Sequence, residues 1–159
     1  MSIKLLDMSD YENDVYAWSL RQGALLRRLA AGERVNDADI DWPNIAEEIE
    51  TVGRSERGAV ASRIRTIIEH LMKLQASPAI DPRAGWRATI RRERVQLEAL
   101  LDENPSLRTI VGTLITQESR RAHILLLASL EEFGETPRLD PLSLSYTHEE
   151  VLGDWFPDV

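Results

Sequence analysis

The chain has no cysteine among its 159 residues. That excludes disulfides, thiolate zinc sites, iron–sulfur clusters and a cysteine nucleophile. Aromatic residues are scarce at 6%, and lysine is nearly absent: of 19 basic residues only Lys4 and Lys73 are lysines, the rest arginines. No apolar run approaches the roughly 18 residues of a membrane span. The first residues, MSIKLLDMSD, carry acids where a signal peptide needs a basic region and a long apolar stretch. A bacterial, cytoplasmic protein with no membrane segment is therefore expected. Glycine-rich phosphate loops and strand–turn–helix nucleophile elbows are also missing. The length suits one domain, and a chain of this size buries roughly 70% of its unfolded surface without needing a disulfide or structural metal.

What remains is apolar and acidic: 43% of residues are hydrophobic and the net charge is −8. The charge is unevenly spread. Residues 1–50 hold 11 acids and 5 bases, whereas residues 54–94 hold 4 acids and 10 bases. Arginine is suited to forked pairing with carboxylates. A basic middle packing beside acidic ends is the simplest account. Alternatively, Arg83, Arg87, Arg91, Arg92 and Arg94 form a phosphate or nucleic-acid patch. Nucleic acid is not the expected partner, because its nonspecific binders are usually strongly basic overall.

Helical signals dominate. Ser9 and Glu12 have capping-box spacing, and Tyr11, Val15, Trp18, Leu25, Leu26 and Leu29 recur at helical intervals until Gly32. Asp41 can cap a second helix with Pro43 in its first turn. Its stripe runs Ile45, Ile49, Val52, Val60, Ile64, Ile67, Leu71 and Leu74, unbroken through Gly53. Ser77 and Pro78 stop it. A third helix follows Pro82 with Trp86, Ile90, Leu97, Leu100 and Leu101 on one side. A fourth begins at Asn104 and Pro105, carries Leu107, Val111, Leu114, Ile115, Ala122, Leu125, Leu126 and Phe133, and ends at Gly134. Thr147 and Glu150 repeat the capping-box spacing, and Trp155, Phe156 and Pro157 read as a tail docking apolar groups on the body. The expectation is one all-α domain over residues 1–159, with helices at about 10–31, 42–75, 83–103, 105–133 and 148–153. Short connections favour an antiparallel up-down four-helix bundle with a short C-terminal helix and docked tail.

At 100° per residue, certain polar side chains fall on the apolar stripes: Gln22, then Glu56, Arg63 and His70 seven apart, then Glu93 and Glu118. Counted from the end where the second and fourth helices start, Gln22, Glu56, Glu93 and Glu118 lie within roughly 5 Å of a common height. That predicts a polar core layer, with Arg63 about 10 Å above Glu56 and His70 a heptad further. Three buried carboxylates need a metal, arginine partners or shared protons. One reading is a structural Arg–Glu network using Arg63, Arg94 and Arg121. The alternative is a carboxylate-bound metal on Glu56, Glu93 and Glu118, with His70 as a possible fourth ligand, serving a metal-dependent enzyme. Carboxylate bundles of that kind place a histidine three residues after the glutamate. Here those positions are Ala59, Gln96 and Arg121.

Other candidates carry less. His123 and His148 lack partners at ligand spacing and are expected to be exposed. Glu47, Glu48 and Glu50 favour the positive end of a helix. Ser55 and Glu56 lie about four turns from His70, too far for a triad. No cofactor is expected. The leading functional reading is a noncatalytic interaction module with the structural Arg–Glu layer, whose Arg83, Arg87, Arg91 and Arg94 meet an unknown protein partner, or which self-associates.

The motifs Tyr11-Glu12-x-Asp14-x-Tyr16-x-Trp18, Asp41-Trp42-x-x-Ile45-Ala46-Glu47-Glu48-Ile49-Glu50-x-x-Gly53-Arg54-Ser55-Glu56, His70-Leu71-x-Lys73 and Trp86-Arg87-x-x-Ile90 stand in this order. Tyr146-Thr147-x-Glu149 and Trp155-Phe156-Pro157 close the chain. Together they resemble, over about residues 11–157, the bacterial helical family known as domain of unknown function 29. The resemblance implies a small all-helical protein and transfers no activity, substrate or cofactor. Glu48, Gly53, Glu56, His70, Trp86 and Arg87 match its pattern.

Overall fold

The structure, a computed structural model, describes residues 9–158, with side chains from residue 11 onward. The described residues form six α-helices and no strand: α1 (Ser9–Asn13), α2 (Val15–Ala30), α3 (Trp42–Ala76), α4 (Arg83–Glu103), α5 (Val111–Glu132) and α6 (His148–Leu152). The chain divides into two compact units, Met1–Gly53 and Arg54–Val159.

In the N-terminal unit, the Ser9 side chain of the expected capping box lies outside the described residues. The main helix starts later than its apolar spacing suggests, because Asp14 caps it by accepting a hydrogen bond from the Ala17 N–H at 2.9 Å. Residues 9–13 remain as a separate short helix. Asp41 then ties the unit together. Its carboxylate accepts from the Trp18 indole N–H at 3.0 Å and from Asn44 in the first turn of α3. The Tyr11 ring meets Trp18 edge-on at 4.8 Å, and the Tyr11 hydroxyl donates to Glu48. Trp18, Gln22 and Ile40 are buried, whereas Val15, Leu29, Ile49 and Val52 of the expected stripes are exposed, Ile49 by 68% and Val52 by 64%. Periodicity identifies the face of a helix. It does not say how far along that face a neighbour extends.

The C-terminal unit contains the main core. Val60, Ile64, Ile67 and Leu71 of α3 pack with Ile90, Leu97 and Leu101 of α4 and with Leu114 and Leu126 of α5. The fourth expected helix does not begin as an α-helix. Residues Pro105–Ile110 are 3₁₀ turns, and α5 starts at Val111. Asn104 makes no side-chain cap on the following turn. Its side-chain amide instead donates to Glu56 at 3.2 Å and to the Leu100 carbonyl. Leu125 and Phe133, both on the expected stripe, are also exposed.

Thr147 and Glu150 form a reciprocal capping box on α6. Gly153 ends that helix, and a β-carbon there would sit 2.6 Å from the Glu149 carbonyl oxygen. The tail then settles on the unit, with Trp155 and Phe156 half-buried and Pro157 buried.

A paired test separates the covered from the uncovered part of α3. Ile67→Ala should cost about 2–5 kcal/mol by cavity formation. Ile49→Ala, on the same helix face, should stay within about 1 kcal/mol in urea unfolding.

Candidate functional site

The inward carboxylates are met individually. Glu93, 7% exposed at its side chain, accepts from Arg63 at 2.7 Å and has Arg92 at 3.4 Å. Glu118, 1% exposed, is paired with Arg65 at 3.3 Å and with Arg121 one turn along α5. These arginines keep 34–62% of their side chains in solvent and reach inward with their aliphatic stems packed. Glu56 is only half-buried and accepts from Asn104.

Gln22 spends its amide inside the N-terminal unit. Its Oε1 accepts from the Asp41 N–H at 3.0 Å and its Nε2 donates to the Asp39 carbonyl at 3.3 Å. Glu56, Glu93 and Glu118 therefore have separate partners. Among the described residues no three histidines or carboxylates gather as a metal would require. The alternative ligand set is thus not assembled: Glu93 and Glu118 are paired with different arginines, and Glu56 meets the neutral Asn104 amide. Arg65 was not anticipated as a partner. It lies one residue past buried Ile64, on the flank of the stripe, where only a long side chain can turn inward.

His70 is half-buried, and its Nδ1 lies 2.8 Å from the Thr66 carbonyl one turn back. A carbonyl only accepts, so Nδ1 carries the proton when the ring is neutral. Burial pushes the imidazole below its ordinary value, partly opposed by that bond. His123, expected to be exposed, is half-buried with Nε2 shielded and without a partner, while His148 is exposed.

Four other α4 arginines behave differently from those around Glu93 and Glu118. Arg83, Arg87, Arg91 and Arg94 share one face, and among the described residues none of the four forms an ion pair. Arg83 donates to the Ala79 and Ser77 carbonyls at 2.9 and 3.1 Å, and desolvation together with Arg138 and Arg87 lowers its pKa. Arg94 was expected beside the carboxylates. It turns instead to the C-terminal end of α6, donating to the carbonyls of Val151, Glu150 and Trp155 at 3.0, 2.7 and 2.7 Å. The last carbonyls of a helix lack intrahelical donors, so a buried guanidinium satisfies both needs.

Arg87, Arg91 and Arg94 place their guanidinium carbons 5.0, 5.1 and 4.9 Å from the ring centre of Phe156. The negative face of an aromatic ring attracts such cations by about 0.5–2 kcal/mol each. Arg94 Nη1 is buried without a hydrogen-bond acceptor. An open cavity of about 420 Å³ adjoins the cluster, lined by Arg91, Arg94, Val95, Asp154 and Phe156. A face read from the sequence as free for a partner is thus partly occupied by the chain's own tail. The spacing of three arginines at positions 87, 91 and 94, together with a lone terminal phenylalanine, was the available signal.

Two outcomes follow from this geometry. Replacing both Arg65 and Arg121 with Met strands the buried Glu118 charge and should cost on the order of 3 kcal/mol, whereas Glu118→Met should be near neutral. Denaturant titration at neutral pH checks both. For His70, burial keeps the folded ring neutral where the unfolded chain takes up a proton. Its contribution is complete above the unfolded value of 6.5 and is lost as pH falls through the depressed folded value. Between about pH 7.5 and 5 the parent chain should lose more stability than His70→Gln.

Comparison with known proteins adds one match. No curated protein and no solved structure matches the chain. The family described as "Domain of unknown function DUF29" matches residues 11–156. That span runs from Tyr11, which leans on Trp18, to Phe156, which sits among the three arginines. The chain therefore belongs to the DUF29 family.

Proposed function

We propose that the protein is a noncatalytic interaction module of the bacterial cytoplasm, whose α4 arginine face receives an anionic protein surface. One observation carries this reading. In a chain of net charge −8, Arg83, Arg87, Arg91 and Arg94 share one face without a carboxylate partner among the described residues. Elsewhere Arg28, Arg63, Arg65, Arg108 and Arg121 all have one. Carbonyls and an aromatic ring satisfy the geometry of a guanidinium without cancelling its charge, so the face keeps a positive field. Arg91 is exposed and Arg87 half-exposed, which leaves both open to a partner. An acidic or phosphorylated protein fits, and so does a second copy of the chain, whose residues 1–50 carry 11 acids against 5 bases.

The groups that could do chemistry are committed to structure. Glu93 and Glu118 are neutralised by arginines, and His70 is bonded to its own helix. The proposed frame is one domain built as an antiparallel up-down four-helix bundle. Two features support it: the short Ser77–Pro82 link, and the meeting of the chain just past α3 with the chain just past α5, where Ser77 donates to Glu135.

The test replaces Arg87 and Arg91 together by Glu, leaving Arg94 to hold the tail. Capture of the partner, or self-association measured by light scattering, should weaken by roughly tenfold or more, because like charges would then face each other. The parent interaction should weaken with added salt. An unchanged set of captured proteins together with an unchanged oligomeric state would refute the proposal.

A further inference from the structure

A second feature lies within the C-terminal unit, where the ends of α3 and α5 meet the start of α4. There a half-enclosed cleft of about 190 Å³ is walled by Pro82, Trp86, Leu126, Leu130 and Phe133. We propose that it binds a small amphiphilic monocation, a primary alkyl- or arylalkylammonium.

The charge of the cleft decides the class of ligand. Lys73 lines it, but its ammonium is taken by Glu69 on the same helix at 2.7 Å, so this pair adds no net charge. Glu135 lines the cleft as well. The turn at Gly134, held at φ 61°, folds the chain back so that the Glu135 N–H reaches the Leu130 carbonyl at 2.8 Å. The carboxylate then accepts from the Ser77 hydroxyl at 2.5 Å, and Ser77 is only 2% exposed. No cation pairs with Glu135 among the described residues. The Arg83 guanidinium keeps its charge but is held on the Ser77 and Ala79 carbonyls and does not line the cleft.

Of the charged groups that line the cleft, Lys73 is thus paired and Glu135 is not, beside an indole and leucine side chains. A carboxylate ligand would face Glu135 across a low-dielectric wall. A neutral ligand would strip water from Glu135 without replacing it. An ammonium headgroup pairs with Glu135 while its hydrocarbon lies against Trp86, Leu126 and Leu130. The volume is below the roughly 300–1,000 Å³ of drug-sized sites, which limits the ligand to one ring or a short chain.

The experiment titrates the full chain with 2-phenylethylammonium, 2-phenylethanol and phenylacetate, following the Trp86 indole N–H and the Leu126 and Leu130 methyls by NMR. The ammonium should give saturable shifts at these groups, with the alcohol and the acid at least about tenfold weaker. Glu135→Gln keeps an acceptor for the Ser77 hydroxyl. It should weaken the ammonium by a similar factor and leave the alcohol unchanged. Three results would overturn the proposal: phenylacetate binding as well as the amine, Glu135→Gln binding the amine undiminished, or no saturable shift up to about 20 mM, where a ligand of this size should register. Should the variant fold poorly, the ranking of the three ligands on the parent chain decides alone.

Discussion

A carboxylate carried into an apolar interior must be met by a cation or give up its charge, and α3 is built to meet two of them. Its aliphatic row of Val60, Ile64, Ile67 and Leu71 forms the centre of the main core. The arginines at positions 63 and 65 stand on the flanks of that row. Arg63 turns toward Glu93 on α4 and Arg65 toward Glu118 on α5. One helix thereby addresses both neighbours, and each pairing constrains how far that neighbour can slide. A hydrophobic row alone tolerates displacement by a turn, since leucines and isoleucines repeat along it. A charged pair does not, because displacement would leave an ion buried without its partner. The solvent-facing arginines lower the expense of this device: their charged ends stay hydrated on one side, and only the carboxylate is fully withdrawn from water.

The α3–α4–α5 frame was largely legible in the sequence because its signals are local. The 3.6-residue rhythm, the Ser77–Pro78 stop and the Thr147–Glu150 box each act within a turn or two of chain, and the family motifs run along the same segments. Inward-facing Glu93 and Glu118 followed from the same rhythm. Less legible was whatever depends on which distant group arrives. Asn104 has the composition of a helix cap, yet its side chain makes no cap bond, its amide N–H donates to Glu56, 48 residues earlier, and the next turn is 3₁₀. Depth counted along idealised rods suggested a shared layer of carboxylates. The rise per residue fixes height well but says little about which side of the axis a long side chain leaves from. Glu93 and Glu118 thus found separate arginines, and Gln22 found the backbone at residues 39 and 41. Ile49 and Val52 illustrate the same limit for apolar groups: the stripe is real, and its cover is a tertiary property.

The arginines divide into two populations, and the division bears on what the chain can recognise. Those opposite carboxylates have an anion at close range that offsets part of their charge: Glu93 meets Arg63 and Arg92, and Glu118 meets Arg65 and Arg121. Arg83, Arg87, Arg91 and Arg94 of α4 are met by groups without formal charge: the carbonyls of Ser77, Ala79, Glu150, Val151 and Trp155 and the ring of Phe156. Their positive charge is positioned without an ion pair, with Asp154 the carboxylate that acts on Arg94 from a distance.

Preorganisation of that sort matters for binding, because long arginine side chains otherwise lose rotamer freedom when a partner arrives. Here the tail has already met part of that entropic demand. The Phe156 ring lies 5.0 and 5.1 Å from the Arg87 and Arg91 guanidinium carbons and favours those positions by about 0.5–1 kcal/mol each, while Arg91 stays exposed. Arg94 does the anchoring below, tying α4 to the end of α6 through three carbonyls, so the ring stays where the other two guanidinium groups need it. The tail is best understood as a part of the basic surface instead of a lid over it. Removing the phenyl ring would leave the charge of α4 unchanged and take away its order.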